Sequence, residues 1–366
     1  MNILHIYASF ESSQGGPPVA IKYLALSQVL NGHKVSIITS YETKPNIPGV
    51  KIINVNYLNK RYSIPTLNSA LKIQNYINKN DIIHLHGMWN GLISTSAFFA
   101  KKSKSIITPH GMAVKRNIKN KPLVKIIYYS LIDKFLFKYI NGCHYLSKHE
   151  YLNSNWIFKG KKSCIQYNRI DTEKIKNYIS KNKKKNIFDN NNINLVYLGR
   201  FNEIKNIKFQ IELMRKINNK NSSVMLYLIG PNNIYKEKIK SVVKSYKLEK
   251  FVKFKNPVFG DRKYLILNKA NFVLLTSHYE CNSVLAIETL SSGGVLLTNK
   301  NCNLNIFFKK RTCIVSKNKI DNFIKIILNY NNNYYKLMRK NAIRYSNLNL
   351  NYKLKKNLLT VFYKKL

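Results

Sequence analysis

Acidic residues are scarce in this chain of 366 residues, which has 16 Asp plus Glu against 62 Lys plus Arg and a formal net charge of +46. Such a charge favours an anionic partner, for example nucleic acid, an acidic membrane surface or a phosphorylated substrate. A compositional bias toward Lys, Asn, Ile and Tyr along the whole chain explains the excess equally well. The net charge alone therefore does not select a function.

Further absences exclude classes of protein. The five cysteines are odd in number and show no C-x-x-C spacing, which argues against a disulfide framework and against a zinc site. No basic segment precedes the apolar run at residues 1–10, so we interpret this run as a first strand and not as a signal peptide. No uncharged stretch approaches the roughly 20 residues of a membrane-spanning helix. We expect a cytoplasmic protein that is soluble or bound to a membrane surface.

Short apolar runs alternate with longer periodic segments along the chain, a pattern typical of βα units with parallel strands. The length favours two domains of roughly 150 to 200 residues each. We predict an α/β protein with two Rossmann-like, doubly wound parallel sheets. The domains are expected at residues 1–172 and 173–345, followed by a C-terminal helix at 346–366 that could pack back on the N-terminal domain. The Lys- and Asn-rich stretch 180–192 is expected to be an exposed linker or surface loop.

The predicted strands fall into two sets. They are expected at residues 2–8, 34–40, 50–56, 81–86, 105–108, 142–146 and 163–166 in the first half, and at 193–199, 224–230, 251–254, 272–276, 295–298 and 313–315 in the second.

The loop after the first strand contains Gly15 and Gly16, followed by two prolines and a predicted helix over residues 19–30. Glycines at a helix start let a phosphate or another ligand approach backbone N–H groups. The glycine spacing is not that of the G-x-G-x-x-G dinucleotide fingerprint. A tight structural turn is the alternative interpretation.

Two predicted strand ends carry a histidine followed by a glycine, at His86 and at His110. Ligands of open α/β sheets bind beyond the carboxyl ends of the strands, so His110 is placed to contact a ligand. A structural histidine is an equally good interpretation. We expect no metal site at His84 and His86, because no nearby cysteine or carboxylate cluster completes a ligand shell.

In the second half, Arg200 follows a predicted strand and Lys205 follows five residues later. Two converging cations would stabilise the charge that develops on a diphosphate leaving group. Because lysines are so abundant, Lys205 could also be an ordinary surface residue. Arginine is scarcer, which makes Arg200 the stronger candidate.

Glu280 and Glu288 stand out because acidic residues are few. Ser283 is predicted to cap a helix over residues 284–291, which places Glu280 in the preceding loop and Glu288 about two turns into the helix. Backbone N–H groups at Ser283 and Val284 can then bind a phosphate, and the two carboxylates can accept hydrogen bonds from hydroxyl groups. Exposed helix glutamates are the alternative.

In this order, the motifs Gly15-Gly16, Thr108-Pro109-His110-Gly111, Leu198-Gly199-Arg200 with Lys205-Asn206, and the Glu280 to Glu288 pair resemble family 4 of the glycosyltransferases over nearly the full chain. The resemblance implies the GT-B fold, with two Rossmann-like domains facing a central cleft. It also implies a retaining, metal-independent hexosyltransferase whose UDP- or GDP-sugar donor is a substrate, with no further cofactor.

The resemblance further implies roles for individual residues. Gly15 and Gly16 would lie beside the donor phosphates and the acceptor, and His110 would contact the donor sugar. Arg200 and Lys205 would clamp the diphosphate. Glu280 would bind sugar hydroxyls, and Glu288 would hold the nucleotide ribose.

The segment 123–140 interleaves apolar residues with Lys125, Lys134 and Lys138, and Lys121 precedes it. A basic amphipathic helix of this kind can lie on an anionic membrane, although a helix packed between domain elements is the alternative. Our hypothesis is a lipid-linked saccharide acceptor in cell-surface polysaccharide or lipopolysaccharide biosynthesis, used at the inner face of the cytoplasmic membrane.

Other functions are weighed against this hypothesis. A dehydrogenase would carry the glycine fingerprint and an acidic residue about 20 residues later, and the chain has neither. A nucleic-acid partner is not expected, because the lysines are scattered through both halves and form no known module. A nucleotide-sugar epimerase of the same fold remains an alternative, as does a basic nucleic-acid- or membrane-binding protein.

Overall fold

The computed structural model describes residues 1–11, 15–115, 122–219, 223–304, 307, 310–317, 319–355 and 358–366. The chain divides into two compact units, with Met1–Asn168 and Tyr352–Leu366 in unit 1 and Arg169–Asn351 in unit 2. The sequence placed these boundaries at 172/173 and 345/346, a few residues from the observed ones. The C-terminal segment belongs to unit 1.

Every strand expected from the sequence is present, with ends that differ by one or two residues. In unit 1 the strands are β1 (Asn2–Ser9), β2 (Lys34–Ser40), β3 (Val50–Asn54), β4 (Tyr57–Asn59), β5 (Ile64–Pro65), β6 (Ile82–His86), β7 (Ser105–Thr108), β8 (Gly142–Tyr145) and β9 (Lys162–Ile165). In unit 2 they are β10 (Ile193–Leu198), β11 (Val224–Ile229), β12 (Val252–Lys255), β13 (Phe272–Leu275), β14 (Leu296–Asn299) and β15 (Ile314–Ser316). The short antiparallel hairpin β4-β5 was not expected.

The helices connect these strands and cover the sheets. They are α1 (Gly16–Leu30), α2 (Leu67–Asn78), α3 (Gly91–Phe99), α4 (Pro122–Tyr128), α5 (Lys134–Phe137), α6 (Lys148–Ser154), α7 (Thr172–Lys181), α8 (Ile207–Asn218), α9 (Ile234–Ser245), α10 (Arg262–Lys269), α11 (Val284–Ser291), α12 (Ile320–Leu328), α13 (Asn332–Asn349) and α14 (Leu358–Lys364). Short 3₁₀ turns occur at Ala100–Lys102, Glu203–Lys205 and Lys300–Cys302. Within the described residues, no helix is both long enough and apolar enough to span a membrane.

Unit 1 contains a seven-stranded sheet with the order β3-β2-β1-β6-β7-β8-β9, in which all neighbouring strands are parallel. Unit 2 contains a six-stranded parallel sheet with the order β12-β11-β10-β13-β14-β15. The order reverses between β1 and β6 in unit 1 and between β10 and β13 in unit 2. Such switch points leave a crevice beyond the carboxyl ends of the strands, where ligands of this architecture bind.

The central strands are buried on both faces, which explains their continuous apolar sequences. In β1, Ile3, Leu4 and Ile6 are fully buried. Helix α14 covers one side of this strand and contributes Leu359 and Tyr363 to the same core cluster as Ile3. The C-terminal helix is therefore part of the unit 1 core.

Two expectations about local structure need refinement. The segment expected as a helix over 123–140 is helical without a break from Pro122 to Phe137, but its middle turn, Tyr129–Asp133, is a π-helix between α4 and α5, and Lys121 lies outside the described residues. The stretch 180–192 lies inside unit 2, where residues 180 and 181 end α7 and the rest form the loop before β10, so the surface-loop alternative holds and the linker does not. Its polar sequence, which cannot form a core, suits a surface loop there.

Candidate functional site

The loops that follow β10 and β13 meet at the switch point of unit 2. The backbone N–H of His278, after β13, donates to the carbonyl of Ile204, after β10, at 2.8 Å. The hydroxyl of Thr276 accepts a hydrogen bond from Gln210 Nε2 of α8 at 2.8 Å. These bonds hold the two loops together, so the side chains that they carry share one edge of the sheet.

Lys205 and Glu280 form an ion pair at this edge, with Nζ 2.6 Å from Oε1. The Ser277 hydroxyl donates to the same carboxylate oxygen at 2.7 Å. The side chains of the pair are only 23% and 12% exposed. From the sequence, Lys205 and Glu280 were expected to bind different parts of a ligand. In the structure, the two side chains contact each other.

Arg200 lies in the loop directly after β10, and its side chain is exposed. The hydroxyl of the buried Tyr197 donates to the Arg200 carbonyl at 2.6 Å and anchors the loop. Burial raises the pKa of Tyr197, and the nearby Glu280 charge raises it further, so the phenol keeps its proton. At the end of the loop, Asn206 has a left-handed φ of 52°, a conformation that asparagine tolerates.

The start of α11 lies at the same edge, because this helix follows the Glu280 loop. Ser283 caps it as predicted, with its hydroxyl accepting from the Ala286 N–H at 3.4 Å. The N–H groups of the first turn, including that of Val284, have no partner within an α-helix and can bind an anion.

Glu288, further along α11, is buried, with only 5% of its side chain exposed. Its Oε1 lies 2.5 Å from Nζ of Lys263 on α10, whose side chain is 16% exposed. A buried carboxylate without a partner is strongly destabilising, so Lys263 is needed at this position. Glu288 is thus paired with Lys263 and not with Lys205.

In unit 1, His110 lies in the loop after β7 and has a left-handed φ of 52°. The buried carboxylate of Glu150 holds this loop in place. It accepts from the Gly111 N–H at 2.5 Å and from the Leu146 N–H at 2.7 Å. Ser147 caps α6, the helix that carries Glu150.

The glycine loop lies between β1 and α1. Gly15 has a φ of 78°, which disfavours other residues, and Gly16 is the first residue of α1. The prolines that follow occupy the first turn, where a missing N–H costs no hydrogen bond. Residues 12–14, on the β1 side of this loop, lie outside the described residues.

Three buried histidines of unit 1, His5, His84 and His86, each offer one ring nitrogen, and these three atoms lie within 4.8 Å of one another. Only His84 and His86 were considered from the sequence. The parallel pairing of β1 with β6 places His5 opposite His84 and so adds it to the cluster. Each of the six ring nitrogens already takes part in a hydrogen bond to another side chain. Metal binding here would have to break those bonds, so the cluster is better described as a hydrogen-bonded core.

The predicted residues therefore form two groups. Arg200, Lys205, Glu280 and the start of α11 share the carboxyl edge of the unit 2 sheet, while His110 and the glycine loop follow β7 and β1 of unit 1. Their predicted roles remain predictions.

The family model described as "Glycosyl transferases group 1" matches residues 179–347, within unit 2. Among solved structures, sucrose-phosphate synthase from Thermosynechococcus elongatus has a TM-score of 0.76 at 14% identity, covering 100% of this chain and 98% of its own. Anabaena Alr3699/HepE, solved in complex with UDP-glucose, has a TM-score of 0.72 at 12% identity and covers 100% of both chains. A trehalose-6-phosphate synthase, OtsA, has a TM-score of 0.74 at 9% identity, covering 100% and 99%.

Residues 179–347 of unit 2 are thus similar to the group 1 glycosyltransferases. At such low identities the solved structures show the fold alone, which is GT-B, as expected. A comparison with curated protein sequences finds no match.

Sequence analysis missed two residues that support the candidate site. Lys263 is one of many lysines, and nothing in its local sequence distinguishes it. Glu150 offered a weak signal, because Ser147 three residues earlier is a typical helix cap and acidic residues are scarce. In both cases the partner lies on another element, so only the tertiary contact shows the role.

Proposed function

We propose that the protein is a retaining, metal-independent hexosyltransferase that moves a hexose from a nucleotide sugar to a saccharide acceptor. The observation that carries the proposal is the carboxyl edge of the unit 2 sheet, which has exposed Arg200 and the Lys205–Glu280 ion pair in the loops after β10 and β13, followed by the start of α11. Two cations and a helix start suit a diphosphate, and a carboxylate suits sugar hydroxyls. The UDP-glucose complex of the Anabaena neighbour supports a UDP-sugar as the donor.

In the proposed reaction, the bond between the sugar C1 and the diphosphate oxygen breaks. A bond from the acceptor oxygen to C1 forms on the same face, and the acceptor proton passes to the leaving phosphate. Arg200 and Lys205 stabilise the charge that grows on the diphosphate. Catalysis then depends on orientation and charge stabilisation, without a covalent nucleophile from the protein.

Glu288 is proposed to hold the ribose. Lys263 binds only Oε1, and within the described residues Oε2 makes no hydrogen bond. That oxygen can accept a hydrogen bond from a ribose hydroxyl. The ion pair with Lys263 would keep the carboxylate oriented.

Thermal shift with UDP-, GDP- and ADP-sugars tests the donor, because a ligand that binds the folded state raises its apparent stability. The selected donor is then incubated with and without saccharide acceptors, and the anomeric configuration of the product is determined by NMR. Transfer with retention supports the proposal. A rearranged nucleotide sugar formed without acceptor would instead support the epimerase, and inversion at C1 would contradict the retaining mechanism.

We also propose a lipid-linked acceptor used at an anionic membrane surface. In α4, the π-helix and α5, apolar side chains are exposed, with Leu123 74% and Leu131 69% accessible. Exposed apolar patches of this kind mark interaction surfaces, and Lys134 and Lys138 beside them complement anionic lipid headgroups.

Cosedimentation with vesicles tests this surface. We expect the protein to bind vesicles that contain phosphatidylglycerol at low salt, and the double variant Leu123→Asp/Leu131→Asp to lose that binding. Ile234→Asp is the matched control, because Ile234 is 79% exposed but lies in unit 2. Equal binding by both variants would contradict the proposed surface.

A further inference from the structure

A continuous hydrogen-bond relay runs through the core of unit 1 to His110. The distances between successive heavy atoms lie between 2.6 and 3.1 Å. In order, its members are the Gln166 carbonyl, His144, Thr108, His84, Tyr363, Gln28, His5, His86 and His110. Apart from His110, which is partly buried, these side chains are buried.

The five imidazoles of the relay are neutral. Burial lowers the pKa of His5 and His144 to about 4 and that of His110 to about 3. Burial and the neighbouring histidines lower the pKa of His84 and His86 well below the usual value. A neutral imidazole has one N–H donor and one acceptor nitrogen, so a bond at one nitrogen determines the role of the other.

The backbone carbonyl of Gln166 determines which atom donates in each hydrogen bond of the relay, because a carbonyl oxygen can only accept. His144 Nε2, 3.0 Å away, must donate to it, so His144 Nδ1 is an acceptor. The Thr108 hydroxyl, 2.9 Å from that nitrogen, donates to it and accepts from His84 Nε2 at 2.7 Å. His84 Nδ1 is then an acceptor, and the Tyr363 hydroxyl donates to it at 2.8 Å.

The same one-donor, one-acceptor rule assigns the donor in each remaining hydrogen bond, from Tyr363 to His110 in the loop after β7. Tyr363 accepts from Gln28 Nε2 at 3.1 Å, and Gln28 Oε1 accepts from His5 Nε2 at 2.6 Å. His5 Nδ1 therefore accepts from His86 Nε2 at 2.9 Å. His86 Nδ1 in turn accepts from His110 Nε2 at 3.1 Å. His110 thus carries its proton on Nε2.

Hydrogen bonds that all run in the opposite direction are not possible, because the Gln166 carbonyl would then have no donor. If the Gln28 amide were turned over, Tyr363 would donate to it and each bond down to His144 would reverse. His144 would then present the lone pair of Nε2 to the Gln166 carbonyl at 3.0 Å. Two buried acceptors at this distance repel each other and both lack a donor.

We propose that this relay holds His110 in the Nε2–H tautomer, so that its Nδ1 carries the lone pair and accepts a hydrogen bond from a hydroxyl of the sugar substrate. Tyr363, Gln28 and Thr108 are positioning residues for His110. Within the described residues, His110 Nδ1 makes no hydrogen bond. The tautomer follows from the relay alone, and only the identity of the hydroxyl rests on the proposed function.

NMR of protein labelled with ¹⁵N-histidine tests the tautomer directly. Long-range ¹H–¹⁵N correlations distinguish Nε2–H from Nδ1–H, and single histidine variants assign the signals. At pH 7.5 we expect all five relay histidines as neutral Nε2–H tautomers. A His110 that carries its proton on Nδ1, or on both nitrogens, would overturn the proposal without any variant being made.

Tyr363→Phe then tests whether the relay fixes this tautomer. The substitution removes the hydroxyl that joins Gln28 to His84 and keeps the ring, so we expect His110 to populate both tautomers. Tyr145→Phe is the matched control, because Tyr145 is buried in the same sheet and its hydroxyl is outside the relay. A fully Nε2–H His110 in folded Tyr363→Phe would show that the relay does not position it. If this variant does not fold, Thr108→Val interrupts the relay at another bond and is judged by the same result.

Kinetics separate the relay from the proposed function. For the transferase, kcat/KM of Tyr363→Phe should fall in proportion to the fraction of His110 that NMR finds as the Nδ1–H tautomer, because only the Nε2–H form can bind the hydroxyl. Tyr145→Phe should match the wild type. If the wild-type protein shows the predicted tautomers but transfers no sugar, the proposed function fails and the relay stands. An unchanged kcat/KM in a variant whose His110 tautomers are mixed would show that Nδ1 is not used.

Discussion

The hydroxyl of Tyr363 lies 2.8 Å from Nδ1 of His84, although 279 residues separate them in the chain. This contact joins the C-terminal helix α14 to the polar core of unit 1. It connects the hydrogen bonds of His84, Thr108 and His144 with those that lead to His110. The tail of the chain is therefore part of the structure that supports one of the predicted site residues.

The buried histidines make the stability of unit 1 sensitive to acid. Their folded pKa values lie below the unfolded value of about 6.5, so below that pH the unfolded state binds more protons. The stabilisation that these neutral histidines contribute to the folded state is complete above about pH 6.5 and is lost as the pH falls toward 4. We expect hydrogen-exchange protection of β1 and β6 to decrease over this range. Protection of β10 and β13 is the internal control, because His278 is the only histidine of unit 2. An equal decrease in both units would contradict this explanation.

Replacement of Arg200 should impair turnover without unfolding the protein. Its side chain is exposed, and the loop is anchored through its backbone carbonyl. We expect Arg200→Ala to lose about 2 kcal/mol of transition-state stabilisation, a fall of roughly 30-fold in kcat/KM for transfer. Arg61→Ala, at an exposed site in unit 1, should retain full activity. Normal transfer by Arg200→Ala would remove Arg200 from the site.

The Lys263–Glu288 pair should be essential for the stability of unit 2. Lys263→Met leaves a buried carboxylate without its partner, and we expect a loss of about 3 to 5 kcal/mol in urea denaturation. Lys240→Met breaks an exposed pair with Glu237 and should cost about 1 kcal/mol or less. The double variant Lys263→Met/Glu288→Leu should recover much of the lost stability but should not bind the nucleotide sugar. Equal stability losses in Lys263→Met and Lys240→Met would contradict this account.

Glu150→Gln should disturb the His110 loop. The carboxylate accepts from two backbone N–H groups, at Gly111 and Leu146, whereas an amide has only one acceptor oxygen. One buried N–H then loses its acceptor, which costs about 1 to 3 kcal/mol. We expect a lower melting temperature and reduced transfer. Glu42→Gln, at an exposed position of the same unit, is the control. Wild-type stability in Glu150→Gln would show that the loop does not depend on this carboxylate.

Local sequence patterns were sufficient for the fold and for part of the site. Apolar runs between polar segments predicted the strands of both sheets because a buried parallel strand needs apolar residues on both faces. Strand ends followed by glycine or arginine placed Arg200 and His110 in the loops where the structure has them. Ser283 predicted the start of α11 because capping depends on nearest neighbours in the chain.

The remaining features depend on contacts between distant parts of the chain. In the sequence, nothing distinguishes Lys263 from the many other lysines. Its role is visible only in the structure, where α10 packs against α11 and Lys263 is buried beside Glu288. The π-helical turn at Tyr129–Asp133 lies inside the helix that the periodicity predicted, and periodicity alone does not indicate such a turn. In the relay, the local sequence does not indicate which ring nitrogen of each histidine carries the proton, because this follows from partners on other elements. The sequence by itself determined which segments are strands and which loops follow them, since these depend on local patterning. Only the tertiary structure decided which charges pair and which ring nitrogen carries a proton, because hydrogen bonds between distant segments form only when the chain is packed.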